Sequence, residues 1–328
     1  MTRETMKRSS AKAAAEGRRV QAEVDVLDKQ AKPETTSKKS PMQVGARKYP
    51  EKFPPQHQKK SGREKDLEPK PMFEAPRYEG SHKLQDKVAL ITGGDSGIGR
   101  AVATLFAREG ADIAICYLEE REDAAVTKKV VEDEGRRCIL IEGDVSHSNF
   151  CKAAVDHCVK ELGKIDILVN NAAFQEHTDD ILDLTDEHFD RTLKTNLYGY
   201  FYMARAAVAH MKPGASIIMT GSVTGIDGSK ELLDYSMTKG GIHAFTRSLS
   251  SQLIDKGIRV NAVAPGPVWT PLNPADRPAD DVAKFGSSAA MHRAAQPEEI
   301  APAFVFMAAP CCASYITGEI LPVIGGYS

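Results

Sequence analysis

The chain has 328 residues, of which 41% are hydrophobic and 27% charged, enough for one large α/β domain or two smaller ones. Its formal net charge of −2 gives no overall attraction to nucleic acid or to an anionic membrane, so neither is expected as a partner. No apolar run approaches the roughly 20 residues that span a bilayer, and no metal-ligand spacing occurs among the His, Cys and Glu residues. We expect a cytoplasmic protein with reduced, mostly buried cysteines.

The N-terminal quarter differs from the rest in charge. Residues 1–80 contain 19 Lys and Arg against 12 Asp and Glu, whereas the remainder contains 24 and 33. Residues 1–31 favour a polar helix, and the Pro- and Lys-rich stretch 32–81 disfavours helix and sheet alike. We therefore predict a basic arm over 1–83, extended beyond the helix. Its aromatic residues are spaced like anchors for a folded surface, although a solvated tail is the alternative: Tyr49, Phe53, Phe73 and Tyr78.

After the arm, short apolar runs alternate with helical stretches. The runs predict strands at 87–94, 112–118, 138–145, 165–173, 216–223, 259–266 and 316–326. Continuous apolar strands that alternate with helices are typical of a parallel sheet covered on both faces. Residues 84–328 are thus expected to form a single Rossmann-type, doubly wound α/β domain.

The stretch ITGGDSGIGR, at 91–100, lies between the first strand and the first helix. Its glycines would allow a tight turn and let the backbone approach a pyrophosphate, which the N-terminus of the helix would bind. A glycine-rich turn without a ligand is the alternative. The residues expected to contact a dinucleotide here are Gly93, Asp95, Ser96, Gly97, Ile98 and Gly99.

The spacing Thr-Gly-x-x-x-Gly-x-Gly resembles the short-chain dehydrogenase/reductase family, and further motifs of that family follow in order. The sequence has GDV at 143–145, NNAA where the family usually has Asn-Asn-Ala-Gly, YSMTK at 235–239 and APGPVWTP at 264–271. The resemblance implies an oxidoreductase that transfers a hydride between nicotinamide and a carbonyl or alcohol group. It further implies cofactor contacts at Tyr117, Leu118, Arg121, Asp144, Val145, Asn171, Ala172, Tyr235, Lys239, Pro265, Gly266, Val268 and Thr270.

Four residues match the catalytic positions of the family: Asn196, Ser222, Tyr235 and Lys239. Tyr235 and Lys239 are four residues apart on a predicted helix and so share one face. The ammonium group should lower the phenol pKa from its usual value near 10 and make Tyr235 a general acid and base. By resemblance, Ser222 would hold the substrate oxygen, and Asn196 would hold a water that links Lys239 to solvent.

The end of the second strand bears on the choice between NAD and NADP. NAD-preferring relatives usually place an Asp there and NADP-preferring ones an Arg or Lys, but this chain has Tyr117 and Leu118. Arg100 or Arg121 could reach a 2′-phosphate, whereas the glutamates at 119–120 would repel one. Because the sequence around the Gly-rich loop and the second strand also resembles bacterial NADP-linked aldehyde reductases with Pro-rich N-terminal extensions, it favours NADP over NAD.

The substrate is expected to be a small aldehyde or ketone. A glucose-type sugar dehydrogenase and a 3-oxoacyl-thioester reductase share most motifs and stay open, as does a catalytically silent NAD(P)-sensing protein. Residues 273–295 are expected to close as a mobile lid, in which His292 and Arg293 could touch an acidic substrate, with surface solvation the preferred interpretation. The resemblance also implies a homotetramer or dimer that packs helices around 185–210 and 235–255, with the arm docked on a neighbouring subunit.

Overall fold

The computed structural model describes residues 40–45 and 47–327 of the chain. The helix predicted at 1–31 lies outside the described residues. Pro41–Ser328 form one packed unit, which includes the described part of the arm.

Seven parallel strands form one sheet within the described residues. They are β1 (Val88–Thr92), β2 (Asp112–Tyr117), β3 (Cys138–Glu142), β4 (Ile167–Asn170), β5 (Ser216–Thr220), β6 (Arg259–Pro265) and β7 (Ile320–Val323). Their order across the sheet is β3-β2-β1-β4-β5-β6-β7. All residues of β1, β2, β4 and β5 are buried, which explains why these strands are continuous apolar runs rather than alternating ones.

The helices cover both faces of the sheet, as the alternating pattern predicted. They are α1 (Gly97–Arg108), α2 (Arg121–Asp133), α3 (Ser148–Leu162), α4 (Asp186–Leu193), α5 (Gly199–Val208), α6 (Thr224–Asp227), α7 (Leu233–Leu253), α8 (Ala279–Val282), α9 (Pro297–Ala308) and α10 (Pro310–Ala313). Residues of α1, α2 and α9 build the core on one face, and residues of α3, α5 and α7 build it on the other. The predicted doubly wound α/β fold is confirmed. In the described part, no helix combines the length and apolar character needed to cross a bilayer.

The described part of the arm packs on the chain's own domain. Phe53 is 5% exposed and stacks on Trp269 with ring centroids 3.9 Å apart. Leu67 is fully buried, and the Tyr78 hydroxyl donates to Glu109 Oε1 at 2.5 Å. The segment has little regular secondary structure besides one 3-10 turn. The aromatic residues thus act as anchors, while docking on a neighbouring subunit stays a prediction.

The segment predicted as a lid, residues 273–295, contains α8 and several buried side chains. Arg293 is 4% exposed and pairs with Glu299, Nη2 to Oε1 at 2.7 Å. Its Nε also donates to the carbonyl of Met42 in the arm at 2.9 Å. Both interpretations offered for Arg293, substrate contact and surface solvation, are therefore wrong. The ion pair with Glu299 satisfies this guanidinium instead. The mobility of the lid stays a prediction.

Four of the six cysteines are buried and two are exposed, and all six are free thiols. The burial of four of them confirms the expectation of mostly buried cysteines, and their reduced state stays a prediction.

Candidate active site

A cavity of about 880 Å³ opens where β1, β2, β4, β5 and β6 end. In a doubly wound sheet, ligands bind in the crevice outside the carboxyl ends of the strands, where the strand order reverses. Here that reversal lies between β1 and β4. Most of the predicted site residues line the cavity, namely Gly93, Asp95, Ser96, Gly97, Ile98, Tyr117, Leu118, Asp144, Val145, Asn171, Ala172, Ser222, Tyr235, Lys239, Pro265, Gly266, Val268 and Thr270.

Three predicted site residues do not line the cavity: Gly99, Arg121 and Asn196. Gly99 lies behind the loop, where a Cβ atom would stand 1.9 Å from the carbonyl oxygen of Gly93. Glycine at this position lets the start of α1 pack against the loop. This packing brings the Gly-rich loop and the N-terminus of α1 together at the edge of the cavity. The residues present therefore fit a dinucleotide whose pyrophosphate lies at the start of α1.

Hydrogen bonds between strand ends hold the Gly-rich loop in place. Thr92 Oγ1 accepts from the backbone N–H groups of Asn171 and Ala172 at 2.9 and 3.0 Å. Asn171 Nδ2 donates to the carbonyl of Gly93 at 3.0 Å. The first threonine of the motif and the NNAA segment thus tie the end of β1 to the end of β4.

Tyr235 and Lys239 lie one turn apart on α7 and both face the cavity. Lys239 Nζ stands 5.3 Å from the centroid of the Tyr235 ring and donates to the carbonyl of Thr220 at 2.8 Å. Ser222, just after β5, accepts at Oγ from the N–H and hydroxyl of Thr224 at 3.1 and 3.0 Å. These two bonds use Oγ as an acceptor and leave the hydroxyl hydrogen of Ser222 available for another partner.

Burial dominates the titration of this pair. It raises the pKa of Tyr235 well above 10, against the lowering effect of the hydrogen bond from Ser222. Burial also lowers the pKa of Lys239 to about 7. The expectation that Lys239 lowers the phenol pKa is therefore not met by the protein groups alone, because desolvation opposes both charged forms.

Asn196 lies in a π-helical turn, Lys194–Tyr198, between α4 and α5. Its Oδ1 accepts from the N–H of Phe174 at 2.8 Å and its Nδ2 donates to the carbonyl of the same residue at 2.9 Å. Nδ2 also contacts Thr238 Oγ1 at 3.1 Å. The side chain thus fixes the segment after NNAA to the catalytic helix, and its role in holding a water stays a prediction.

The end of the cavity near β2 and β3 contains Asp144 as predicted, together with an arginine that the motifs did not indicate. Burial would raise the pKa of Asp144, but hydrogen bonds from Ser146 and Arg191 hold it below its usual value. Arg191 Nη1 lies 2.9 Å from Asp144 Oδ2. The ion pair joins residues 47 positions apart, which no local pattern indicates.

Ion pairs engage both arginines proposed for a 2′-phosphate. Arg100 is 4% exposed and its Nη1 contacts Glu64 Oε1 at 2.5 Å. Arg121 points its Nε to Glu142 Oε2 at 2.6 Å and does not line the cavity. The Arg100 assignment is corrected, because an ion pair with the arm engages this buried guanidinium, whereas a cofactor contact by Arg121 stays a prediction.

The other end of the cavity contains a His–Asp pair that the sequence analysis missed. Asp276 is buried and accepts from Gln175 Nε2 at 2.5 Å and from His177 Nδ1 at 3.1 Å. Burial opposes protonation of His177, but Asp276 outweighs it and raises the pKa of the imidazole. Since His177 and Asp276 are 99 residues apart, only the folded chain brings them together.

Glu176, His177 and Asp276 place possible metal-ligand atoms within 4.8 Å of one another. However, Lys60 Nζ lies 2.7 Å from Glu176 Oε2, and both oxygens of Asp276 already accept hydrogen bonds. The arrangement therefore fits a hydrogen-bonded wall better than a metal centre.

Comparisons with known proteins agree with this geometry. A family model described as enoyl-(acyl carrier protein) reductase matches residues 93–328. General stress protein 39 of Bacillus subtilis is 51% identical over 279 residues, 85% of this chain and 97% of that protein. Glucose and ribitol dehydrogenase of Daucus carota is 47% identical over 84% of this chain and 96% of its own length. NADPH-dependent aldehyde reductase 1, chloroplastic, of Arabidopsis thaliana is 47% identical over 81% of this chain and 94% of its own length.

Among solved structures, a short chain dehydrogenase from Burkholderia cenocepacia in complex with NADP superposes with a TM-score of 0.70 at 34% identity. The match covers 74% of this chain and 98% of that one. The chain belongs to the short-chain dehydrogenase/reductase family. It is an NAD(P)-dependent oxidoreductase of that family, as its motifs predicted.

Proposed function

We propose that the protein reduces small aldehydes or ketones, with Tyr235 as the acid and base. The observation that carries this proposal is that Ser222, Tyr235 and Lys239 face the same cavity as the Gly-rich loop. A proton donor, a hydroxyl donor and a dinucleotide site thus meet in one place, which is what carbonyl reduction requires.

In the reducing direction, Tyr235 gives its proton to the carbonyl oxygen as that oxygen gains charge. Ser222 donates its hydroxyl hydrogen to the same oxygen, an orientation supported by its two acceptor bonds from Thr224. In its protonated form, Lys239, 5.3 Å from the phenol ring, favours the tyrosinate that remains. When bound, the dinucleotide supplies or accepts the hydride at its nicotinamide ring.

A polar substrate end favours small, hydroxylated compounds over long acyl chains. The lining there includes Gln175, His177, Asp179, Glu231 and Arg277. Such a wall can satisfy the hydroxyl groups of a substrate. Sugar or polyol oxidation is therefore the second candidate, supported by the similarity to the Daucus carota glucose and ribitol dehydrogenase.

The experiment follows loss of reduced cofactor, with NADH and NADPH offered separately against small aldehydes, ketones and 3-oxoacyl thioesters, and cofactor reduction against glucose and ribitol. The variant Tyr235→Phe serves as the blank, because it keeps the ring and removes the acid. Turnover of short aldehydes that is absent in the blank supports the reductase. Turnover of the polyols alone supports the second candidate, and tight cofactor binding without any turnover supports a silent sensor instead.

The catalytic residues fit NAD and NADP equally, because the two cofactors share the hydride chemistry and differ only at the adenosine ribose. The names of the Arabidopsis thaliana reductase and of the Burkholderia cenocepacia complex support NADP, which the sequence favoured.

We also propose a homotetramer or dimer. Apolar side chains on α7, on α5 and on the π-helical turn before α5 are 43–46% exposed, as at Leu233, Met237, Phe201 and Tyr198. Exposed apolar groups on adjacent helices are typical of an association surface. Light scattering of the purified chain tests this, and a monomer at micromolar concentration would contradict it. Cytoplasmic location stays a prediction from the sequence.

A further inference from the structure

Helix α1 begins without a cap from its own neighbourhood. Its N-cap residue, Ser96, makes no side-chain hydrogen bond to the first turn, and that turn contains no acidic residue. The first N–H groups of a helix have no partner within the helix, so other groups must satisfy them. The first turn of α1 is also the place where the pyrophosphate of a dinucleotide would bind, so its geometry matters for the cofactor.

Glu64, in the 3-10 turn of the arm, supplies the missing cap. Its Oε2 accepts from the backbone N–H of Gly97, the first residue of α1, at 2.5 Å. The N–H of Glu64 donates in turn to Asp123 Oδ2 on α2 at 2.8 Å. Gly97 lines the cavity, whereas Glu64 does not. The arm therefore holds the start of α1 from outside the cavity.

Arg100 ties the same carboxylate to the Gly-rich loop. Glu64 is 2% exposed, and its Oε1 contacts Arg100 Nη1 at 2.5 Å. Arg100 Nη2 donates to the carbonyl of Asp95, within the loop, at 2.7 Å. Burial raises the pKa of Glu64, whereas Arg100 and the N–H of Gly97 lower it. The guanidinium thus offsets the charge of the carboxylate near the start of α1 and links the arm to the loop a second time.

The arm, the Gly-rich loop and the segment after β6 meet at one junction. A Cβ atom on Gly97 would stand 2.9 Å from Thr270 Cγ2, and a Cβ atom on Gly62 would stand 2.7 Å from the carbonyl oxygen of Pro271. Both glycines have a positive φ, +51° and +90°, which side chains disfavour. Because the packing leaves no gap, the loop cannot keep this position if the arm leaves.

We propose that Glu64 is a positioning residue for the dinucleotide: as the cap of α1, it holds the Gly-rich loop in the conformation that binds the pyrophosphate. Packing of the arm and binding of the cofactor then favour each other. Such coupling is reciprocal, so the cofactor holds the arm in place by the same factor by which the arm tightens cofactor binding. This inference rests on the proposed oxidoreductase function and holds for NAD and NADP alike.

The first test measures the dissociation constants of NADH and NADPH by nicotinamide fluorescence on the full chain. Glu64→Ala removes the cap, and the constant of the cofactor that wild type binds more tightly should rise about tenfold or more, within the usual range of coupling between sites. Glu64→Gln keeps an oxygen for the N–H of Gly97 and should stay within about threefold of wild type. In steady-state kinetics, Glu64→Ala should raise KM for the cofactor and lower kcat by less than about twofold, because the partners of Glu64 do not include the catalytic residues.

The matched control is Glu122→Ala. Glu122 also pairs with the arm, at Lys65, but it is exposed and does not line the cavity. Its dissociation constants should stay within about twofold of wild type. Trp269, the only tryptophan, stacks on Phe53 of the arm, so its emission in the unliganded variants reports whether the arm remains packed.

The second test observes the same coupling from the arm. Saturating wild type with its preferred cofactor should slow tryptic cleavage within residues 41–83 by about fivefold or more, with mass spectrometry locating the cuts. In Glu64→Ala this protection should shrink to less than about twofold. A substitution that merely loosened the arm would speed cleavage by the same factor with and without cofactor, and the protection would persist.

Three results would overturn the inference: an unchanged dissociation constant in Glu64→Ala, arm cleavage that the cofactor does not slow, or an equal loss of affinity in Glu64→Gln and Glu64→Ala. The last would mean that the cap on Gly97 contributes nothing. Failure of the proposed function looks different, because then the cofactor binds and protects the arm, yet no aldehyde, ketone or polyol is turned over.

Discussion

Two walls of one cavity are built in different ways. The catalytic wall takes Ser222 from the end of β5 and the pair Tyr235 and Lys239 from one face of α7. The arm wall takes Lys60 to Gly62 from an extended segment held by contacts with residues more than a hundred positions away, such as Gln175. The catalytic side chains thus lie on or directly beside regular elements, which hold side chains rigidly, while the arm wall comes from a segment that is held only by its contacts.

The largest expected effect is a loss of activity when the catalytic wall is changed. Tyr235→Phe should lower kcat by at least about 100-fold, since general acid catalysis contributes roughly 10²–10⁴, while the dissociation constant of the reduced cofactor changes by less than about threefold. Steady-state kinetics and nicotinamide fluorescence measure the two. Tyr202→Phe, a half-buried tyrosine outside the cavity, is the matched control. Near-normal turnover of Tyr235→Phe would remove the catalytic assignment.

The arm should detach when a buried contact far from the catalytic residues is removed. Phe53→Ala removes a buried ring that stacks on Trp269, and such truncations cost about 3–5 kcal/mol. We expect the arm to detach, the Trp269 emission to move to longer wavelength, and proteolysis to begin within residues 41–83. Tyr315→Ala, at a 99% exposed side chain, should change stability by less than about 0.5 kcal/mol. Identical behaviour of the two variants would show that the arm does not rest on Trp269.

The catalytic wall also predicts a pH effect on stability. Burial holds the pKa of Lys239 at about 7, whereas an unfolded lysine titrates near 10.4. Between these values the unfolded chain binds one more proton, so the free energy of unfolding rises with pH by up to about 1.4 kcal/mol per unit. Urea unfolding of wild type and Lys239→Met at pH 6, 7, 8 and 9 measures this. A wild-type advantage that fails to grow above pH 7 contradicts the buried, uncharged lysine.

The smallest expected effect concerns the substrate end. His177→Leu removes a hydrogen-bonding group that Asp276 orients, and one such bond is worth about 0.5–1.5 kcal/mol. We expect kcat/KM for glyceraldehyde to fall by about two- to tenfold, while propanal, which lacks the hydroxyls, changes by less than twofold. Equal losses for both aldehydes would mean that His177 supports the fold rather than the substrate.

The difference between the walls also explains what the sequence could predict. Tyr235 and Lys239 lie four residues apart, and the Gly-rich loop is contiguous, so local spacing already places these groups. The sheet follows for the same reason, because buried parallel strands are continuous apolar runs. The ion pair of Arg100 with Glu64 and the pair of His177 with Asp276 join residues 36 and 99 positions apart, and nothing in either neighbourhood indicates the partner.

The pKa of Tyr235 shows a second limit. Spacing correctly put Lys239 beside the phenol, but the direction of the shift depends on how much water the finished site excludes. Burial outweighs the lowering effect of Ser222 on the pKa of Tyr235, and burial is a property of the whole packed chain rather than of a five-residue motif.

The contact between the arm and Trp269 has a consequence for synthesis on the ribosome. Trp269 Nε1 donates to the carbonyl of Pro69, 200 residues earlier in the chain. At roughly 5–20 residues per second, the arm waits about 10–40 s before its partner has been made. A Pro- and Lys-rich segment suits that interval, because its composition keeps it hydrated and free of premature structure. The newly made chain therefore packs its arm late, once Trp269 is available to bind Pro69.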